Sequence, residues 1–124
     1  MKLEEQDGRV REALSRGGVI DITTTGRKSG RPHRIEIAFH NLGGHLYISG
    51  MPRPQRRSWL ANLDADSNFT FHLKGPVQAD LPATARIIDD EEERRTVLGP
   101  IARAWKRNDV ETMVAQSPLI EVLL

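Results

Sequence analysis

Apolar and polar residues alternate along much of this chain, in short stretches separated by glycine and proline. The longest stretch runs from Val77 to Ile87 and has an apolar residue at every second position. Such alternation is typical of β-strands that bury one face. Turns as tight as Gly43-Gly44 favour antiparallel hairpins. The pattern therefore predicts an antiparallel sheet, and Pro82 indicates an edge or a bend in its longest strand.

The positions of the turns divide the chain into strands and helices. Six strands are predicted, at residues 19–25, 34–40, 45–49, 69–74, 77–87 and 119–124. Helices are predicted at residues 3–16, 58–64 and 109–116. A further helix begins at Asp89-Asp90 and is broken at Gly99-Pro100, where a separate helix starts.

Six short antiparallel strands lose their exposed edges when the sheet closes on itself. We therefore expect a mainly β fold with flanking helices, of the α+β class, built on a six-stranded antiparallel split barrel. A plain α+β sandwich is the alternative. With 124 residues, the chain has the usual size of one domain, predicted to span residues 1–124.

Composition excludes several classes of protein. The absence of cysteine excludes disulfides, a thiol nucleophile, a thiolate zinc site and iron–sulfur clusters. The four histidines show no metal-ligand spacing, so no metal site is predicted. The sequence contains no run of 18 apolar residues that could cross a membrane, and its polar first residues do not resemble a secretory signal. We expect a cytoplasmic protein without integral membrane association; peripheral association stays open.

Charge is distributed unevenly. The net charge is +1, yet residues 27–57 hold seven basic side chains and one acidic one. Such a segment is typical of a surface that meets an anionic partner, although it would also serve as a solvated face. The basic side chains fall into two groups, one in the turn after Thr25 and one comprising Arg53, Arg56 and Arg57.

The turn contains the residues 23–30, TTTGRKSG, directly after a predicted strand. Backbone N–H groups in a glycine-bracketed turn can converge on an anion, and the side chains of Thr25, Arg27, Lys28 and Ser29 add donors. The spacing matches neither a P-loop nor a dinucleotide-binding fingerprint. An ordinary polar hairpin is the alternative interpretation.

Taken together, TTTGRKSGRP at residues 23–32, the Gly43-Gly44 hairpin and SWLANLDADSNFTFHL at residues 58–73 resemble the deazaflavin-dependent nitroreductase family. Its members are also called coenzyme F420-dependent quinone reductases. The resemblance covers residues 19–88. It implies a split barrel like that of FMN-binding oxidoreductases, and coenzyme F420 as cofactor, with FMN as the alternative.

The resemblance and the charge pattern together indicate where the cofactor binds. The phosphate and glutamate tail are expected near the basic turn, and the deazaflavin ring beside the end of the third strand. The predicted cofactor-binding residues are Thr25, Arg27, Lys28, Ser29, Gly30, Arg34, Ser49, Gly50, Arg56, Arg57, Trp59 and Asn62. His33 stands where the family commonly has arginine, so Arg34 is expected to take over that contact.

The implied activity is hydride transfer from the reduced deazaflavin to a small electron-poor acceptor, such as a quinone or a nitro compound. The cofactor carries the difficult chemistry, and no catalytic residue is identified. Two other functions stay open. One is a non-catalytic barrel that binds a flavin, a deazaflavin or a lipid. The other is a nucleic-acid-binding module, which the scarcity of aromatic residues near the basic segment disfavours. A homodimer is expected from the fold class alone.

Overall fold

The computed structural model describes residues 7–124, and residues 3–6 of the predicted first helix lie outside this part. Its strands are β1 Gly18–Thr25, β2 Pro32–Leu42, β3 His45–Ser49, β4 Asn68–Leu73, β5 Ala79–Ile87 and β6 Leu119–Leu123. Its helices are α1 Asp7–Arg16, α2 Ser58–Ala65, α3 Glu91–Ala104 and α4 Val110–Gln116. None of these helices is long and apolar enough to cross a bilayer.

The six strands form a closed antiparallel barrel in the order β1-β2-β3-β6-β5-β4. This confirms the predicted barrel. Alternation explains the closure, because alternate side chains of every strand fill the interior, where Ile22, Ile48, Phe71 and Ile120 are fully buried. The Gly43-Gly44 turn is also confirmed, since both glycines adopt the positive φ that a tight hairpin requires.

The barrel is split between β2 and β3. The β2–β3 ladder contains only the pairs from Phe39↔Ile48 to Leu42↔His45. Residues 32–38 of β2 therefore pair with β1 alone and have no pairing partner in β3. As a result, Ile35 and Ile37 are only half-buried, although they lie on the inward face of their strand. This opening is the feature of the fold that makes room for a ligand.

The helices cover different parts of the barrel. Trp59 and Leu63 of α2 and Val10 of α1 join the hydrophobic core of the barrel. Helices α3 and α4 instead form a second core with residues of β3 and β6, in which Leu98 and Met113 are fully buried. The segment between β3 and α2 is consequently held between the barrel and this second core.

Three details correct or refine the expected elements. The predicted break at Gly99-Pro100 is wrong, because α3 continues through it. Pro100 provides no N–H for the helix, but Leu98 and Ile101 on either side are buried in the same core and hold the two halves together. Strand β5 begins at Ala79 rather than Val77. Pro82 lies in the part of β5 that pairs with β4 but not with β6. It therefore stands at an edge of the β5–β6 ladder, as its outward position indicated.

Candidate functional site

A cavity of about 770 Å³ occupies the split of the barrel. One end is formed by the turn between β1 and β2, and the other by β2, the start of α2 and the segment after β3. Fifteen residues line it: Thr24, Gly26, Arg27, Lys28, Ser29, His33, Ile35, Glu36, Ile37, Gly50, Arg53, Arg57, Ser58, Trp59 and Asn62. We call it the main cavity.

The turn at one end of the main cavity is closed by its own backbone. The Gly26 N–H donates to the Arg31 carbonyl and the Gly30 N–H to the Gly26 carbonyl, both at 2.8 Å. The Arg31 N–H donates to Ser29 Oγ at 3.1 Å. These bonds occupy three of the six backbone N–H groups of residues 26–31. Anion binding at this turn therefore depends on side chains as well as on the remaining N–H groups.

Asn62 of α2 fixes the turn from the side of the barrel. Its Oδ1 accepts from the Arg27 backbone N–H at 3.2 Å and from the Arg27 guanidinium at 3.0 Å. Its Nδ2 donates to Thr24 Oγ1 at 3.1 Å. Both Asn62 and Thr24 are buried, so these bonds are shielded from water. The two motifs that are far apart in sequence thus form one unit.

Gly26 leaves space for two side chains that converge above it. A Cβ at this position would lie 2.6 Å from His33 Nε2 and 2.7 Å from Ser29 Oγ, far closer than real atoms approach. Any side chain at this position would push the ends of these two side chains aside, so glycine is what allows them to converge here. The result is a small polar cradle, formed by Gly26, Ser29 and His33, at the floor of the turn.

The opposite end of the main cavity combines apolar side chains with the guanidinium groups of Arg53 and Arg57. Ile35 and Ile37 are uncovered by the split, and Trp59 closes this end from α2. Gly50 lets the chain pass close to its neighbours, because a Cβ there would lie 3.2 Å from Pro118 Cγ and 3.4 Å from an Arg57 terminal nitrogen. An apolar slot of this kind suits a flat ring system.

A second cavity of about 590 Å³ adjoins the main one, and Arg53 and Arg57 line both. Neither guanidinium forms an ion pair within residues 7–124. Burial, and then the neighbouring Arg53, hold the pKa of Arg57 below its ordinary value. The Arg57 guanidinium donates to the Met51 carbonyl at 2.5 Å. Two cations without counter-ions therefore separate the cavities, which favours an anionic ligand there.

The structure brings only some of the predicted residues to the main cavity. Arg27, Lys28, Ser29, Gly50, Arg57, Trp59 and Asn62 line it. Arg56 lines the second cavity and forms an exposed ion pair with Asp64 at 3.2 Å. Thr25 and Gly30 belong to the turn but not to the cavity wall.

Two predicted residues point elsewhere. Arg34 forms an ion pair with Asp21 at 2.9 Å and does not line the main cavity. Strand alternation explains this, because neighbouring residues of β2 face opposite sides. Ser49 is buried, and its hydroxyl donates to the Pro118 carbonyl at 2.6 Å. Its side chain thus anchors the segment after β3 to the start of β6 and is not directed at a ligand.

The sequence interpretation assigned no site role to His33, Ile35 and Ile37, although all three line the main cavity. Their alternation correctly predicts a strand with the two isoleucines on its inward face. The missing information was the length of the partner strand. Because β2 has 11 residues and β3 has five, part of β2 has no partner in β3.

Comparison with known proteins identifies the family of this chain. The family model of F420H2-dependent quinone reductases matches residues 1–122. The chain belongs to this family. No curated protein sequence matches it.

Similar solved structures include an F420-H2 dependent reductase, with a TM-score of 0.61, 23% identity and coverage of 85% of this chain and 93% of that one. A conserved hypothetical protein from Mycobacterium tuberculosis has a TM-score of 0.72 and 15% identity, covering 94% and 79%. A FAD-binding protein from Mesorhizobium loti has a TM-score of 0.62 and 14% identity, covering 100% and 90%. At these identities the likeness shows a common fold, the split barrel.

As a member of the F420H2-dependent quinone reductase family, the chain is an F420-dependent oxidoreductase. The residues present fit this cofactor. The cradle above Gly26 keeps a space that a Cβ would fill, the cations around it suit a phosphate, and the apolar end of the cavity suits a ring. Within residues 7–124 there is no cluster of side chains that could hold a metal ion.

Proposed function

We propose that this reductase passes a hydride from reduced F420 to an electron-poor acceptor such as a quinone or a nitro compound. The carrying observation is the polarity of the main cavity, which has cationic and hydroxyl groups at one end and Ile35, Ile37 and Trp59 at the other. A ligand with a phosphate and a flat ring meets matching surfaces at both ends.

The turn is the proposed phosphate site. Lys28 and Ser29 of the turn line the main cavity and carry side-chain donors that form no hydrogen bonds within the turn. Arg27 is held in place by Asn62. Charge-assisted hydrogen bonds of this type are the strongest that a side chain offers to a phosphate. Because the turn is rigidly closed, little conformational entropy is lost when the phosphate binds.

The arginines between the two cavities are the proposed site of the acidic tail. Arg53 and Arg57 have no carboxylate partners in the described part of the chain, and Arg56 lines the second cavity beside them. A glutamate tail that leaves the turn would meet these guanidinium groups first. Arg57 contributes more than Arg56 in this arrangement, because Arg57 is half-buried and Arg56 already pairs with Asp64.

When bound, reduced F420 supplies the hydride, and the protein supplies position and environment. Ile35, Ile37 and Trp59 would hold the ring and exclude water from one side. Gly50 allows the chain to approach this slot closely, since a side chain there would crowd Pro118 and Arg57. No residue is assigned as a catalytic acid or base.

The experiment that tests this function is anaerobic mixing of the protein with reduced F420 and a panel of quinones and nitroaromatic compounds, followed by the absorbance of oxidised F420. We expect oxidation of the cofactor to require the protein and to be lost in Gly26→Ala. NADPH should not replace reduced F420. If bound reduced F420 persists with every acceptor, the protein binds the cofactor without this activity, as in the non-catalytic alternative. Full occupancy by FMN that F420 cannot displace would overturn the proposal.

We also propose that residues 1–124 form one cofactor-binding domain and that two copies associate as a homodimer. A cytoplasmic location remains a prediction from the sequence. The proposed partner in the reaction is a small-molecule electron acceptor and not a nucleic acid. The main cavity supports this choice, since its basic groups lie beside the apolar side chains of Ile35, Ile37 and Trp59.

A further inference from the structure

His33 occupies the position at which the family commonly has an arginine. It lines the main cavity, whereas the next residue, Arg34, faces away and pairs with Asp21. No hydrogen bond engages the His33 ring within residues 7–124. Its Nε2 nevertheless has a defined position, directly above Gly26. An unengaged imidazole nitrogen held over a cavity floor is available to a ligand.

The Ser29 hydroxyl points to the same place. Ser29 Oγ and His33 Nε2 both lie within 2.7 Å of the position that a Cβ of residue 26 would take, so the two atoms are close enough together for a single phosphate group to contact both. Ser29 Oγ accepts from the Arg31 N–H, which leaves the hydroxyl hydrogen free to donate. The cradle therefore offers two donors when the facing His33 nitrogen carries a hydrogen.

We propose that His33 is a phosphate ligand in this reductase, and that its protonation makes the binding of F420 tighter as the pH falls. The inference rests on the proposed placement of the F420 phosphate at the turn. An arginine in this place would keep its charge at every physiological pH, whereas an imidazole gains its charge only as the pH falls through about 6.5.

The other charged side chains that line the cavity belong to arginine, lysine and glutamate, residue types whose ordinary pKa values lie well away from that of an imidazole. Arg27 and Lys28 belong to the turn, and Arg53 and Arg57 lie across the cavity. Glu36 of β2 is held by Lys74 in an ion pair. The residues that face the cavity from α2 are Ser58, Trp59 and Asn62, and they carry no charge. Among the residues that line the cavity, His33 is the one imidazole.

The sign of the effect follows from linkage. An anion binds the protonated imidazole more strongly, so the bound state takes up a proton. The added affinity is complete at low pH and is lost as the pH rises through the titration of the bound state. Because His33 is exposed, we expect F420 to bind about two- to fivefold more tightly at about pH 5.5 than at about pH 8.5, the range that an exposed ion pair contributes.

The first test is fluorescence titration of F420 at several pH values with the wild-type protein and three variants. His33→Arg should bind tightly throughout and lose the pH-dependent part that wild type shows. His33→Gln should lose the same part but bind weakly throughout. His45→Gln is the matched control, since His45 is also exposed but pairs with Glu121 away from the cavity; it should behave as wild type. Equal pH dependence in wild type and His33→Arg would overturn the inference.

The second test follows the His33 ring by NMR, which reports the residue itself rather than activity. Sulfate is the probe, because it keeps its charge across the range. We expect sulfate and F420 each to move the midpoint of the His33 titration to higher pH, and His45 to stay unchanged. If F420 binds but the His33 midpoint does not move, this inference fails while the proposed function stands. If F420 does not bind but sulfate moves the midpoint, the proposed function fails while the cradle remains an anion site.

Discussion

Asn62 Oδ1 accepts both the backbone N–H and the guanidinium of Arg27, so one amide oxygen determines where the turn and its cation lie. The same side chain donates to Thr24 on β1. Asn62 is buried, and therefore water cannot replace these bonds at low cost. The bond network shows how helix α2 and the turn operate as one structure.

Replacing Asn62 should weaken both the fold and the binding of F420. Asn62→Ala leaves Thr24 and two Arg27 donors without their partner, and we expect a loss of about 2–3 kcal/mol in the free energy of unfolding. Thr24→Val is the matched variant, because it removes only one of the three bonds and should cost about 1 kcal/mol. Urea unfolding measures both. Equal losses would contradict the central role of Asn62.

Gly26→Ala should abolish the cradle without unfolding the barrel. The new Cβ would collide with His33 and Ser29 side chains at the floor of the main cavity, so we expect F420 affinity to fall at least about tenfold, which corresponds to about 1.4 kcal/mol. Gly8→Ala serves as the control, since no atom lies within 4 Å of its added Cβ. In helix α1 this change should stabilise the protein by up to about 1 kcal/mol. Unchanged affinity in Gly26→Ala would argue against a ligand at the turn.

Arg57 and Arg56 are neighbours in sequence but should differ as ligands of the acidic tail. Arg57→Gln removes a half-buried cation that has no carboxylate partner among residues 7–124, and we expect about a tenfold loss of affinity that persists partly in high salt. Arg56→Gln removes an exposed cation already paired with Asp64, and its effect should be a few-fold at most and disappear in salt. Titrations at two ionic strengths distinguish them. Identical losses that vanish together would indicate a diffuse basic face.

Arg94 should be important for stability although it makes no ion pair within residues 7–124. Its guanidinium donates to the carbonyls of Ile88, Met113, Val114 and Ser117. Burial lowers the pKa of Arg94, as is expected for a cation whose partners are neutral carbonyls.

Arg94→Met would leave several carbonyl groups without a donor, and we expect a loss of about 2–4 kcal/mol in unfolding free energy, because each orphaned buried acceptor costs about 1–3 kcal/mol. Arg95→Gln, which breaks the exposed ion pair with Glu111, should lower the free energy of unfolding much less, because solvent screens an exposed pair. Thermal or urea unfolding compares the two. A smaller loss for Arg94→Met than for Arg95→Gln would refute this account.

Acid should destabilise the protein through its paired carboxylates. Hydrogen bonds from lysine or arginine side chains lower the pKa of several carboxyl groups, among them those of Asp21, Glu93, Asp109 and Glu111. A lowered pKa in the folded state stabilises the protein above the unfolded values, 3.8 for aspartate and 4.5 for glutamate. This contribution is lost as the pH falls through the folded values.

We therefore expect the free energy of unfolding to decrease as the pH drops below about 4.5. Urea unfolding from neutral pH to about pH 3 measures the slope. Lys74→Gln removes the hydrogen bond that contributes most to the shift of Asp21, so its slope should be shallower than that of wild type. A slope that is the same in both proteins would exclude this pair as a source.

The sequence by itself determined the strands, most of the helices, the barrel and the family. Alternation decides which side chains are buried, and a closed sheet is the arrangement that buries all of them without leaving edges. The family motif likewise depends on local order, since TTTGRKSG must form a turn wherever it follows a strand. The local sequence did not predict that α3 continues through Pro100. Burial of the residues on both sides of the proline outweighs the tendency of Gly99-Pro100 to end a helix.

Only the tertiary structure decided which of the basic side chains face a ligand. Arg34 and Arg56 have carboxylate partners on neighbouring elements, Asp21 on β1 and Asp64 on α2, while Arg53 and Arg57 have none within residues 7–124. The opening that exposes Ile35 also depends on where β3 ends relative to β2. These are relationships between residues on different elements. Their geometry is set by strand register and packing, which local patterns of polarity and charge do not encode.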